Sequence, residues 1–156
     1  MDRARIPQKG TAPADLLEAM EDFRGDDVAW REGRTWSMMY FVSDAHTDLL
    51  KKASTAYLSE NGINPMAFKS LKRMEAQVTQ MTASMLHGPD TTVGTMTSGG
   101  TESILLAMKT YRDRARKKWP WIRHPEMVVP RTIHVAFDKG AHLFGIKLRK
   151  ARANDD

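Results

Sequence analysis

The sequence predicts an α/β domain built on a largely parallel sheet and preceded by a helical N-terminal arm. Three observations carry that expectation. Apolar residues recur at helical spacing as far as Gly88; beyond Val93, short β-rich runs alternate with helical stretches; and the pair Gly99-Gly100 joins the first of those runs to a long helix. With 156 residues, 41% of them hydrophobic, the chain can bury one domain-sized core.

Taken in order, Thr11 is placed to cap a helix over residues 12–24, with Leu16, Leu17, Met20 and Phe23 on one face and Gly25 as its stop. The apolar run Met38-Met39-Tyr40-Phe41-Val42 reads as a short strand or a buried segment. Ser43 offers a cap for a second helix, to about Leu58, turning Leu49, Leu50, Ala53 and Tyr57 inward. Asn64-Pro65 suits the cap and first position of a long third helix. Phe68, Leu71, Met74, Val78, Met81 and Met85 recur along it, and Gly88-Pro89 ends it; methionines in such a stripe read as adaptable core filling. From Val93 the order is strand, glycine turn, helix, strand at 127–129, short helix over 135–144, and strand at 146–148. The division is an arm over residues 1–90 and the start of an α/β domain over 91–156. Its sheet is expected to be truncated, since the last strand would want neighbours on both sides.

Composition removes several functions. There are no cysteines, hence no disulfide framework or cysteine metal site, in keeping with a reducing, cytoplasmic setting. No apolar run approaches bilayer length, and the start lacks the apolar core of a secretory signal, so no membrane span is expected. The net charge of +5 gathers in Arg112, Arg114, Arg116, Lys117, Lys118 and Arg123. These cations fall near the end of the long helix, where they complement its negative pole; a solvated face is the better reading, and no nucleic acid partner is expected.

The segment Thr97-Ser98-Gly99-Gly100-Thr101-Glu102-Ser103 has the layout of an anion cradle. A helix start leaves backbone N–H groups unpaired at the positive end of the dipole, and glycine lets a phosphate approach them. Gly100 stands where a P-loop needs lysine, Met96 where a serine-hydrolase elbow needs glycine, and the three-glycine dinucleotide spacing is missing. Glu102 in the first turn would repel an anion unless it points away. From spacing alone, a phosphate site and a plain glycine turn into a helix both stand. His134, Asp138 and His142 share a helical face, but three ligands on one short helix lack a companion group, and no metal is expected.

Read whole, the stretch from Gly94 to Ile104 resembles the pyridoxal-phosphate-dependent decarboxylase family (group II), most closely the branch that includes the sphingosine-1-phosphate lyases. The likeness continues through Lys109 to Ala115, Pro130 to Lys139 and Phe144 to Leu148. Upstream it includes Asn64 to Glu75 and Met81 to Gly88, which are similar to bacterial members in particular. The resemblance implies the first part of a type I pyridoxal-phosphate transferase-like (aspartate aminotransferase-like) large domain, with pyridoxal 5'-phosphate as cofactor. By motif match Ser98, Gly99, Gly100 and Thr101 would hold the cofactor phosphate, and His134 would lie against its ring. Tyr40, Asn61 and Asn64 fall near substrate-handling positions. Asn64 replaces a histidine usual in the lyase branch, a departure that bears against lyase specificity. The resemblance further implies a small amine or amino-acid substrate, a homodimeric parent, and an amino-terminal fragment whose cofactor-anchoring (Schiff-base) lysine lies downstream. No residue of this chain is then catalytic by itself. The alternative is an inactive module serving only interaction or dimerisation. Nothing in these residues chooses between decarboxylation and retro-aldol cleavage.

Overall fold

The computed structural model describes residues 5–33, 35–36 and 40–152. They form two compact units, residues 1–59 and 60–156. The long third helix, grouped with the arm in the sequence reading, thus falls in the second unit.

In the first unit, α1 spans Pro13–Arg24 and α2 spans Asp44–Ala56, with a 3-10 turn at Trp30–Glu32 between them. The start of α1 departs from expectation: the cap is Ala12, which makes no side-chain bond, and Pro13 supplies the preset first-turn geometry in place of Thr11. Ser43 does cap α2, its Oγ accepting from the His46 N–H at 3.1 Å. Between the helices the Arg31 guanidinium sits 5.0 Å from the Trp30 ring centre and 5.2 Å from that of Phe41, and it pairs with Asp44 at 2.6 Å. The inward faces assigned to these helices are not buried. Leu16, Leu17, Met20, Phe23, Leu49, Leu50, Ala53 and Tyr57 are all exposed, because an apolar stripe is buried only where a second layer meets it. Met38 and Met39 lie outside the described residues, and Tyr40, Phe41 and Val42 form neither a strand nor a buried segment.

In the second unit, α3 spans Lys69–Met85, α4 Gly100–Lys118, β1 Glu126–Pro130, α5 Val135–Phe144 and β2 Lys147–Ala151. α3 begins four residues later than its expected first position, because Asn64 closes a separate turn: its Oδ1 and main-chain O both accept from the Ala67 N–H. α3 ends in a Schellman pattern: Gly88 N–H bonds to Ala83 O and His87 N–H to Ser84 O, with His87 in the left-handed region at φ 55°. Its methionines are not core: Met81 and Met85 are exposed, while Phe68 and Leu71 are partly covered.

β1 and β2 pair in parallel from Glu126 opposite Lys147 to Pro130 opposite Ala151, with α5 as the crossover. α4 packs on α5. The core is Met108, Ala141 and Ile146, flanked by Ile104, Met127, Phe137, Phe144 and Leu148. Among the described residues no helix is long and apolar enough to cross a membrane.

Candidate functional site

The site is built on the start of α4 and the segment leading into it. Residues 93–97, expected as a strand, are not one. They run back along α3: a Cβ built on Gly94 would come within 2.9 Å of Thr79 Cγ2, and two donors of the segment go to a side chain instead of a ladder. Glu75 Oε1 on α3 accepts from Thr95 Oγ1 at 2.7 Å and from Met96 N–H at 2.8 Å. The Thr95 hydroxyl first, then the Met96 amide, hold the Glu75 carboxyl below its ordinary range.

At the turn, Gly99 caps α4 with φ 156° and ψ 178°, a region essentially reserved for glycine, and as a glycine it gives the helix no side-chain cap. The first-turn amides of α4 therefore have neither an intrahelical acceptor nor a cap side chain. A Cβ added at Gly100 would meet no protein atom within 4 Å, so packing does not demand glycine there. The room is open to a ligand.

Glu102 stands in the first turn of α4 and keeps its carboxylate beside the turn. The carboxylate folds back, Oε2 accepting from Ser98 N–H at 2.6 Å and from Ser98 Oγ at 2.7 Å. Those bonds, the backbone one first, lower its pKa from the ordinary value. Ser98 is thereby committed to Glu102, and the donors left to face an anion are those at Gly99, Gly100 and Thr101. Thr97 Oγ1 donates to Gly99 O at 3.1 Å and lies 2.7 Å from Ser103 Oγ, tying the turn to the helix it opens. Beside the turn is a cavity of about 620 Å³, with Val78 and Thr82 of α3, Leu86 just after it, Val93 and Met96, and Gly99 and Gly100 in its walls.

His134 caps α5, its Nδ1 accepting from the Ala136 N–H at 3.1 Å, which fixes the ring and leaves Nε2 to carry the proton of a neutral imidazole. α4 and α5 run parallel. Gly140 lies against Met108, and one turn on Arg112 donates to the Phe144 carbonyl at 3.4 Å across 32 residues of sequence. Sequence spacing held no sign of this pairing between α4 and α5, which Gly140 accommodates by leaving room for Met108.

The other predicted residues are used locally. Asn61 Oδ1 accepts from Ile63 N–H and Asn64 Oδ1 from Ala67 N–H, both at 3.1 Å, and Tyr40 is fully exposed. Asp138 pairs with Lys150 at 2.7 Å.

No protein-family model matches the chain. It is 40% identical over 143 residues to sphingosine-1-phosphate lyase 1 of Rattus norvegicus, a match covering 92% of this chain and 25% of that protein. Among solved structures it is similar to the sphingosine-1-phosphate lyase of Burkholderia pseudomallei, with a TM-score of 0.79 and 32% identity over 97% of this chain and 36% of that one. The glutamate decarboxylase of Lactobacillus brevis shares the fold, with a TM-score of 0.78 at 19% identity over 100% of this chain and 36% of that one. The chain thus spans about a quarter of the length of the curated relative and about a third of the solved structures.

Proposed function

Since the chain belongs to the pyridoxal-phosphate-dependent decarboxylase family, with sphingosine-1-phosphate lyases among its relatives, we propose that it supplies part of the cofactor pocket of a carbon–carbon lyase acting on a small amine or amino acid. The observation that carries this is the open turn: Gly99 in a glycine-only conformation that gives α4 no side-chain cap, and Gly100 with no packing neighbour for a Cβ. The amides of Gly99, Gly100 and Thr101 would hold the phosphate of pyridoxal 5'-phosphate at the positive end of α4. His134, fixed by its bond to Ala136, would meet the ring. Once bound, that cofactor serves as an electron sink for bond breaking beside an amine. This chain's residues hold and orient. No lysine in it matches the family's anchoring motif, and its residues do not choose between decarboxylation and aldehyde release.

The test is cofactor binding by absorbance. The 156-residue chain should bind pyridoxal phosphate weakly, and Gly100→Asp, which puts an anion into the open room, should abolish binding, whereas Thr101→Ala should weaken it only by the worth of one hydroxyl bond, about 1 kcal/mol. Equal retention by the two variants would sink the cradle. A second reading, an interaction module without catalysis, is favoured by the exposed apolar faces of α1 and α2. It would gain if the chain self-associated and bound no cofactor.

A further inference from the structure

We propose that Glu75 is a positioning residue for the phosphate turn: its carboxylate clamps the approach to the turn onto α3 and so sets where Gly99, Gly100 and Thr101 present their donors. This rests on the reading of the turn as a phosphate cradle.

The approach is irregular backbone without a strand partner among the described residues, so its polar groups need other partners. α3 provides one face for it. Gly94 seats against Thr79, and one helical turn earlier Glu75 takes both the Thr95 hydroxyl and the Met96 amide on a single oxygen. Bonds to a carboxylate are the stronger kind. From there the ties are short and continuous: Thr97 to Gly99 and Ser103, then Ser98 to Glu102. Glu75 joins that local chain of bonds to a second helix. Without it the turn still has its internal bonds, but nothing in the series holds it in register with α3, whose side chains form the opposite wall of the cavity. A donor amide that swings by tens of degrees no longer makes a useful bond to a phosphate oxygen.

Inorganic phosphate is the probe, titrated into isotopically labelled 156-residue chain, with chloride at equal ionic strength as control. In the unmodified chain, phosphate should shift the Gly100 and Thr101 amides and chloride should not. In Glu75→Ala the Met96 amide should lose exchange protection and the phosphate midpoint should rise about tenfold, the loss of roughly one charge-assisted bond's worth of order, while the Ala141 and Ile146 signals stay in place. Glu75→Gln keeps an acceptor oxygen and should recover most of the affinity. Thr95→Val removes one of the two bonds and should fall between, which serves if the alanine variant fails to fold. An unchanged phosphate midpoint in Glu75→Ala, or in Thr95→Val where the alanine variant does not fold, would overturn the proposal. So would a loss that glutamine does not restore. If phosphate leaves Gly100 and Thr101 unmoved in the unmodified chain, the cradle reading itself falls and this proposal falls with it; if phosphate binds there but ignores Glu75, only this proposal falls.

Discussion

Two glycines of the second unit show opposite reasons for having no side chain. At Gly140, in the middle of α5, a Cβ would lie 2.5 Å from Met108 Sδ and 3.1 Å from Leu105 Cδ2. Met108 is only 1% exposed, so its thioether must shift within the packing to make room. Glycine costs a helix interior about 1 kcal/mol relative to alanine, and close packing of α4 on α5 is what offsets it. Gly140→Ala is therefore expected to lower stability by about 1–3 kcal/mol in a urea titration followed by circular dichroism, despite alanine's better helix propensity. A variant as stable as the parent would show that the helices tolerate being pushed apart. At Gly100 the surroundings are empty, and an acidic residue in the first turn suits the helix dipole. Gly100→Asp should thus melt where the parent melts while losing phosphate. That contrast separates a glycine kept for packing from one kept for a ligand.

At the scale of elements, the pair of parallel strands carries its own acid sensitivity. Arg149 donates to both oxygens of Glu126, at 2.8 and 2.7 Å, and Lys147 stands 3.9 Å away. The Arg149 hydrogen bond first, then the two positive charges, hold Glu126 below its ordinary value of 4.5. A carboxyl lowered in the folded state stabilises the fold above that ordinary value, and its contribution disappears as pH falls through the lowered one. Melting temperature against pH should therefore drop less steeply below about pH 4.5 in Glu126→Gln than in the parent. The difference should be small, since the pair is exposed. This region was also the best read from sequence: α4, β1, α5 and β2 all fall near their expected places, because a glycine turn, a β-branched pair and the left-handed Gly145 stop are local signals. The failures share a cause. Residues 93–97 have strand composition, but a strand needs a ladder partner, and here Glu75 answers instead. Asn64-Pro65 reads as a helix start, yet Asn64 spends its side chain on a turn that ends before Lys69. The turn's glycines were legible as a phosphate motif. Glu102's bond to Ser98, four residues apart, is local, whereas the packing of α4 on α5 joins residues 32 apart that spacing does not connect.

Over the whole molecule, burial is concentrated in one place. Met108, Val129, Ala136, Ala141 and Ile146 are the buried hydrophobics among the described residues, and all of them lie in or beside the α4, α5 and β1–β2 packing. Elsewhere the helical patterns are sound but uncovered: α1 leaves Leu17 63% and Phe23 75% exposed, and α2 leaves Leu49 63% exposed. Stripes of that kind, each spanning several helical turns, exceed the scattered apolar surface of an ordinary monomer and mark surfaces that associate. The 156-residue chain is accordingly expected to elute above monomer mass in light scattering coupled to size exclusion and to bind a hydrophobic dye. Replacing Leu17 and Phe23 by glutamate leaves the α4–α5 core untouched in sequence, so if the α1 face drives association, the double variant should shift toward monomer while phosphate-induced changes at Gly100 persist. A parent chain that is already a monodisperse monomer would contradict the expectation. Loss of the phosphate response in the double variant would mean that the arm and the turn are coupled after all.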